Sequence, residues 1–199
     1  MTGWTTHHGR AVALPLENID TDQLIPARFM SAPREEGYGR FLLHDLRRDG
    51  DVLRPDFALN QAEAQDASIL IARRNFGGGS SREAAVYALQ DAGFRVVIAP
   101  SFGDIFAANA VNNGLLPARV TEDQADRLLA ACPAQMTVDL ATQTITSGPD
   151  SIAFALDPVW RQKLINGWDD IDLTASHAAA ITAFASRRRA HAPWVWPKD

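Results

Sequence analysis

The sequence predicts an α/β fold organised around one βαβ unit. Residues 67–72 (Ala-Ser-Ile-Leu-Ile-Ala) and 95–99 (Arg-Val-Val-Ile-Ala) are short apolar runs of strand length bounded by turn signals. Residues 82–92 between them have helical composition, with Ala85, Tyr87, Ala88 and Leu89 available to pack and Gly93 as a stop. A glycine-rich turn, Gly77-Gly78-Gly79-Ser80-Ser81, joins the first strand to the helix. Strand, helix and strand in this order make parallel neighbours with a right-handed crossover.

The other elements follow in chain order. Residues 10–14, closed by Pro15, read as a first strand. Residues 18–55 carry prolines at 26, 33 and 55, glycines at 37, 39 and 50, and many charges, so they predict a long excursion with short ordered pieces. Loops of that length are functional or disordered. Residues 102–113 predict a helix ended by Gly114. Thr121-Glu122-Asp123-Gln124 is a capping box opening a helix to about Ala131. Residues 136–140 and 143–146 suggest a hairpin, and 151–156 another strand. Asp157-Pro158 is an N-cap with proline at the first helical position, closed by Gly167. Residues 174 to about 188 predict a final helix, and about 190–199 a C-terminal tail.

At 199 residues, 46% hydrophobic and 22% charged, the chain reads as one domain over residues 1–199. A net charge of −5 argues against a general nucleic-acid binder. One cysteine, Cys132, excludes an internal disulfide and a cysteine-only metal site. Residues 1–12 show no signal-peptide run and no stretch approaches membrane-spanning length, so the expectation is a cytoplasmic protein without a membrane partner.

The turn at residues 75–83 carries the most chemistry. Three glycines admit backbone angles closed to other residues and let a ligand approach the main chain. Ser80 and Ser81 are then placed at a helix start, where open N–H groups and the dipole favour an anion, and Arg82 adds a planar fork for a carboxylate. No lysine follows the glycines and the dinucleotide spacing is missing, so a carboxylate fits better than a nucleotide phosphate. The competing reading is that one serine caps the helix and Arg82 pairs with Glu83 or solvent.

Four segments occur in order: Asp20-Thr21-Asp22-Gln23-Leu24-Ile25-Pro26, Asn75-Phe76-Gly77-Gly78-Gly79-Ser80-Ser81-Arg82-Glu83, residues 96–106, and Asn112-Asn113-Gly114-Leu115-Leu116-Pro117. Together they resemble the small subunits of 3-isopropylmalate dehydratase, of the aconitase superfamily, from about Gly9 to Ala185. The resemblance implies a swivelling β/β/α domain of the aconitase C-terminal type. It also implies a large partner subunit, in a heterodimer or higher assembly, that carries a [4Fe–4S] cluster, while this chain holds no cofactor and no metal. The implied activity is hydro-lyase chemistry on a small dicarboxylate: 2-isopropylmalate loses water and regains it at the neighbouring carbon, in leucine biosynthesis. On the same resemblance Ser80 is the catalytic base, Arg82 contacts serine and substrate carboxylate, and Asp22 partners a histidine of the large subunit. Ser81 and Gly79 fall to substrate binding, and Arg28 and Arg34, in what the resemblance implies is a flexible substrate loop at about 27–40, are candidates for the substrate-carboxylate role. An Asx turn in Asp-Thr-Asp is the alternative for Asp22, and a solvated loop position the alternative for either arginine.

Three departures stand out. The family pattern Phe-Gly-Cys-Gly-Ser-Ser-Arg-Glu-His-Ala meets Gly78 at the cysteine and Ala84 at the histidine, and Glu35 stands where an arginine is common. They motivate one alternative, a paralogue acting on a citramalate/citraconate, dimethylmaleate or homoaconitate type substrate; a non-catalytic binding subunit that keeps the fold is another, against which the retained Ser80, Ser81, Arg82 and Asp22 argue. Cys132 reads as a small, partly buried residue, His7-His8 as a frayed terminus, His177 as structural or exposed, and Arg187 to Arg189 as a solvated helix end. Trp194 and Trp196 read either as an exposed tail docking on a partner or as packed on their own domain.

Overall fold

A computed structural model of the chain describes residues 2–196. Met1 and residues 197–199, where the expected tail ends, lie outside the described residues. The elements are β1 (Thr6–Leu14), α1 (Thr21–Leu24), α2 (His44–Arg47), β2 (Arg48–Asp49), β3 (Val52–Leu53), β4 (Ala67–Ala72), α3 (Glu83–Asp91) and β5 (Val96–Ala99). They continue with α4 (Asp104–Asn112), β6 (Leu116–Arg119), α5 (Glu122–Ala131), β7 (Ala134–Asp139), β8 (Thr144–Ser147) and β9 (Asp150–Ala153). Three helices close the chain: α6 (Pro158–Asn166), α7 (Asp170–Ala175) and α8 (Ala178–His191).

One seven-stranded sheet, ordered β6-β5-β4-β1-β7-β8-β9, carries the fold. The four strands β6, β5, β4 and β1 are mutually parallel, and β7, β8 and β9 extend the sheet antiparallel from β1. Both faces of the parallel half are covered, as the unbroken apolar runs of β4 and β5 require. Alternation sends Leu70, Ala72 and Val97 to one core with α1, α3 and the 27–64 excursion. It sends Ile69, Ile71, Val96 and Ile98 to the other, with α5, α6 and β7–β9.

The βαβ unit stands as expected, and both the Thr121 capping box and the Asp157-Pro158 start are formed. Several expectations are corrected. β1 begins at Thr6, so His7 and His8 are not frayed but paired with Val138 and Thr137 of β7. β6 has no counterpart in the sequence reading because Pro117 sits inside it; a proline is tolerated there since β6 is an edge strand. The single final helix is two, broken at Ser176-His177. The 18–55 excursion, by contrast, has the short ordered pieces expected of it, among them the 3₁₀ turns Ala27–Phe29, Arg34–Glu36 and Gly39–Phe41.

His7 is half-buried, with Nε2 2.8 Å from Ser68 Oγ. Burial above all, then the charges of Arg95 and His8, lower its pKa below the ordinary 6.5. The unfolded chain therefore takes up this proton first. The neutral ring's contribution to stability is complete above about pH 6.5 and is lost as pH falls from there toward the folded value. Asp45, held at about 2 by its hydrogen bond from Arg28 and then by His44, titrates well below that window. Denaturant midpoints should fall between about pH 7.5 and pH 5 in the native chain and less steeply in His7→Gln; equal slopes would remove His7 as the source.

Candidate active site

The loops leaving the C-terminal ends of β1, β4 and β5 are knitted together by their main chains. Gly77 N–H donates to Ile19 O (2.6 Å), Thr21 N–H to Gly78 O (2.9 Å), Phe76 N–H to Ser101 O (3.0 Å) and Gly103 N–H to Phe76 O (2.9 Å). Gly77 adopts φ +73°, and a Cβ there would lie 2.2 Å from the Phe106 ring. A Cβ on Gly103 would lie 2.5 Å from Gly77 O. Side chains are excluded from this crossing by space as well as by dihedral angle.

Ser80 and Ser81 emerge from the crossing exposed, and neither hydroxyl takes a side-chain hydrogen bond among the described residues. The helix begins one residue later than expected, at Glu83. Its N-cap is Arg82, in extended conformation and without a side-chain cap. The reading of a serine as helix cap is therefore overturned. What holds Ser80 is its carbonyl, which accepts from Thr21 Oγ1 at 2.8 Å. Thr21 is buried, and its role escaped the sequence reading; its one signal was a threonine between two aspartates. Asp20, not Asp22, takes the local turn role, as the N-cap of α1 in a capping box with Gln23.

Asp22 is thereby free to face outward from α1 and ion-pairs with Arg82. The arginine side chain is 17% exposed and the carboxylate 52%. Nη1 of Arg82 is buried and touches the carboxylate, yet has no acceptor in hydrogen-bonding geometry. The ion pair thus leaves a donor direction of the guanidinium uncommitted. Asn113, unassigned by the sequence reading, braces the start of α3 by donating to Glu83 Oε1 at 2.7 Å.

The structure brings Ser80, Ser81, Gly79, Arg82 and Asp22 to one edge, and holds Arg28 and Arg34 in other pairs. Arg28 pairs with Asp45 and lies over the Phe29 ring. Arg34 grips Asp91 through two hydrogen bonds (2.6 and 3.1 Å), at the opposite end of α3 from the turn, and stacks on Tyr87. A cleft of about 390 Å³ between α4 and α6, walled by Phe102, Asp104, Arg119 and Trp160, lies beside the turn without including its serines. The serine edge itself is open surface. Cys132 is partly buried, and burial pushes its thiol up to about 11. Among the described residues no group of three His, Cys, Asp or Glu side chains is placed to hold a metal.

Residues 1–123 match the aconitase C-terminal domain, and residues 170–197 match the C-terminal domain of the 3-isopropylmalate dehydratase small subunit. The chain is 47% identical over 195 residues to the 3-isopropylmalate dehydratase small subunit of Shewanella baltica, covering 94% of this chain and 97% of that one. To that of Shouchella clausii it is 46% identical over 188 residues, covering 92% and 95%. Among solved structures, a 3-isopropylmalate dehydratase from Methanocaldococcus jannaschii superposes with a TM-score of 0.66 at 22% identity, covering 89% of this chain and 98% of that one. That likeness shows the fold.

The geometry separates the two readings of the serines by stability alone. A capping serine replaced by alanine costs about 0.5–2 kcal/mol. With Arg82 as the cap, Ser80→Ala and Ser81→Ala should each change unfolding free energy by less than about 0.5 kcal/mol, as exposed substitutions do. Urea denaturation of the two variants decides it.

Proposed function

The chain belongs to the family of 3-isopropylmalate dehydratase small subunits, and from that premise we propose that it isomerises 2-isopropylmalate to 3-isopropylmalate in leucine biosynthesis, as the small subunit of a heteromeric hydro-lyase. The observation that carries this reading is the edge where an uncommitted serine hydroxyl stands beside a guanidinium with a donor direction unused. A dicarboxylate entering a closed site must exchange its water for fixed donors, and this edge offers them.

We assign Ser80 as the base that takes the C–H proton while hydroxide leaves the adjacent carbon; re-addition of water at the other carbon completes the isomerisation. A serine alkoxide needs stabilisation at neutral pH, and Arg82 with the uncapped start of α3 supplies positive potential beside it. Arg82 also binds a substrate carboxylate, with Ser81 and the Gly79 main chain completing that contact. Asp22 orients Arg82 and, on the family resemblance, meets a histidine of the large subunit. Arg28 or Arg34 would bind a second carboxylate only after leaving Asp45 or Asp91.

The described residues do not fit an iron–sulfur cluster, having one cysteine and no metal-holding group. We place the [4Fe–4S] cluster on the large subunit. The open serine edge supports a site completed by that partner. No helix among the described residues is long and apolar enough to cross a membrane, and we place the complex in the cytoplasm. A second reading, another alkylmalate as substrate, is favoured by Gly78 and Ala84, where the family pattern carries a cysteine and a histidine.

With the large subunit present, Ser80→Ala should lower turnover by at least about a hundredfold, the scale of a lost general base. Arg82→Lys keeps the charge but loses the planar fork. It should cost about 1.5–3 kcal/mol in transition-state binding, about tenfold to a hundredfold in kcat/KM. Wild-type kcat/KM in either variant would remove that residue from the site. Turnover of a different diacid ahead of isopropylmalate would select the second reading.

A further inference from the structure

The C-terminal arm departs from the packing rules that govern the rest of the chain. Neither α7 nor α8 contains a buried residue, and α8 packs chiefly on the short turn Pro193–Val195 that follows it. Ile171, Ile181, Phe184 and Trp194 are all exposed, Trp194 by 78%. Alanines at 178, 179, 180, 183, 185 and 190 spread small apolar side chains round the helix. Ile181 and Phe184 thus leave an apolar part of the helix without a partner on the body of the chain, and a helix of 14 residues is marginal without tertiary contacts.

The root of the arm, by contrast, is firmly held. Lys163 is 3% exposed; its ammonium donates to Asp170 Oδ1 (2.6 Å) and to Asn112 Oδ1, while Asn112 Nδ2 donates to Asp170 Oδ2 (2.9 Å). This three-way contact ties α6, α4 and α7 together, so α8 leaves the body from a set point. Its far end carries Arg187, Arg188 and Arg189, all exposed and in no ion pair among the described residues. In a chain of net charge −5 that tip is locally opposite to the whole, and its complement is a carboxylate-bearing surface.

A second copy of this chain is a poor occupant for the exposed face. Two α8 helices about 21 Å long and about 10 Å wide, paired side by side, would bury on the order of 800 Å² in total, the size of chance packing contacts and short of the roughly 1,200 Å² of a stable interface. A groove that encloses the helix on several sides buries more and uses the alanines round it. Residues 170–197 also match a domain named for small subunits, apart from the aconitase-like residues 1–123.

We propose that the α7–α8 arm is the chain's docking element for the large subunit, seating Ile181 and Phe184 in an apolar groove whose rim carries carboxylates facing Arg187–Arg189. The inference rests on the heteromeric reading above. The test measures affinity between the full chain and a cluster-bearing large subunit by titration calorimetry. Ile181→Asp/Phe184→Asp should weaken binding by at least about tenfold, and Arg187→Glu/Arg188→Glu/Arg189→Glu likewise, with a reduced salt dependence. Ile181→Leu/Phe184→Leu should bind as the native chain does, and all three variants should keep the isolated chain's denaturation midpoint. Unchanged affinity in the aspartate and glutamate variants overturns the docking assignment alone. So does a self-association of the isolated chain that the aspartate variant abolishes while large-subunit binding persists. A native chain that forms no complex overturns the heteromeric reading together with it.

Discussion

The crossing of three loops at Gly77 is the constraint from which the rest of the site follows. Phe106 fills the volume a side chain at residue 77 would need, and Gly103 presses on the Gly77 carbonyl from the other side. With that space filled, the loop after β4 can pass only as bare backbone. Its N–H and carbonyl groups are then satisfied by the loops after β1 and β5. Three segments far apart in sequence thereby share one rigid edge, and the side chains just beyond the crossing inherit its precision. Ser80 follows Gly77 by three residues, and Asp22 follows Ile19, whose carbonyl takes the Gly77 N–H, also by three.

Rigidity behind the turn and openness in front of it suit a preorganised electrostatic site. Thr21 spends its hydroxyl on the Ser80 carbonyl, so the serine main chain is held while its own hydroxyl stays uncommitted. Arg82 is held by Asp22, yet the pairing leaves a buried donor without an aligned acceptor. A buried N–H without an aligned acceptor is costly, and a ligand or a bound water that completes it is the usual resolution. The start of α3 without a side-chain cap belongs to the same pattern.

How much of this was legible in the sequence depended on whether the signal was local. The βαβ unit, the Thr121 capping box and the Asp157-Pro158 start each announce themselves within a few residues, and all three stand. β6 hid behind Pro117 because edge position is a tertiary fact. The beginning of β1 hid because Thr6, His7 and His8 are polar, their partners lying more than a hundred residues away in β7. Gly77 to Arg82 drew attention through composition, but composition could not distinguish a serine cap from a free serine. Only the start of α3 at Glu83 does so. Thr21 and Asn113 work across loops, which no local pattern reports.

The departures at residues 78 and 84 also differ in kind from the glycine at 77. A Cβ on Gly78 would meet Asn75 Oδ1 at 3.2 Å, a contact that a few tenths of an ångström would relieve, and its backbone lies outside the left-handed region. Nothing in the crossing demands glycine there, whereas residue 77 admits nothing else. Ala84, partly buried against the core cluster of α3, likewise leaves the helix start intact. Gly78 therefore alters the turn itself and Ala84 the packing behind it, and neither disturbs the crossing at Gly77. On the proposed reading the reaction type depends on the scaffold that aims Ser80 and Arg82, and its surroundings bear on which substrate fits. Glu35, the third departure, sits in the turn Arg34–Glu36, which is tied through Arg34 to Asp91 at the far end of α3, so it too leaves that scaffold in place; a retained chemistry with an adjustable substrate would diverge in this way.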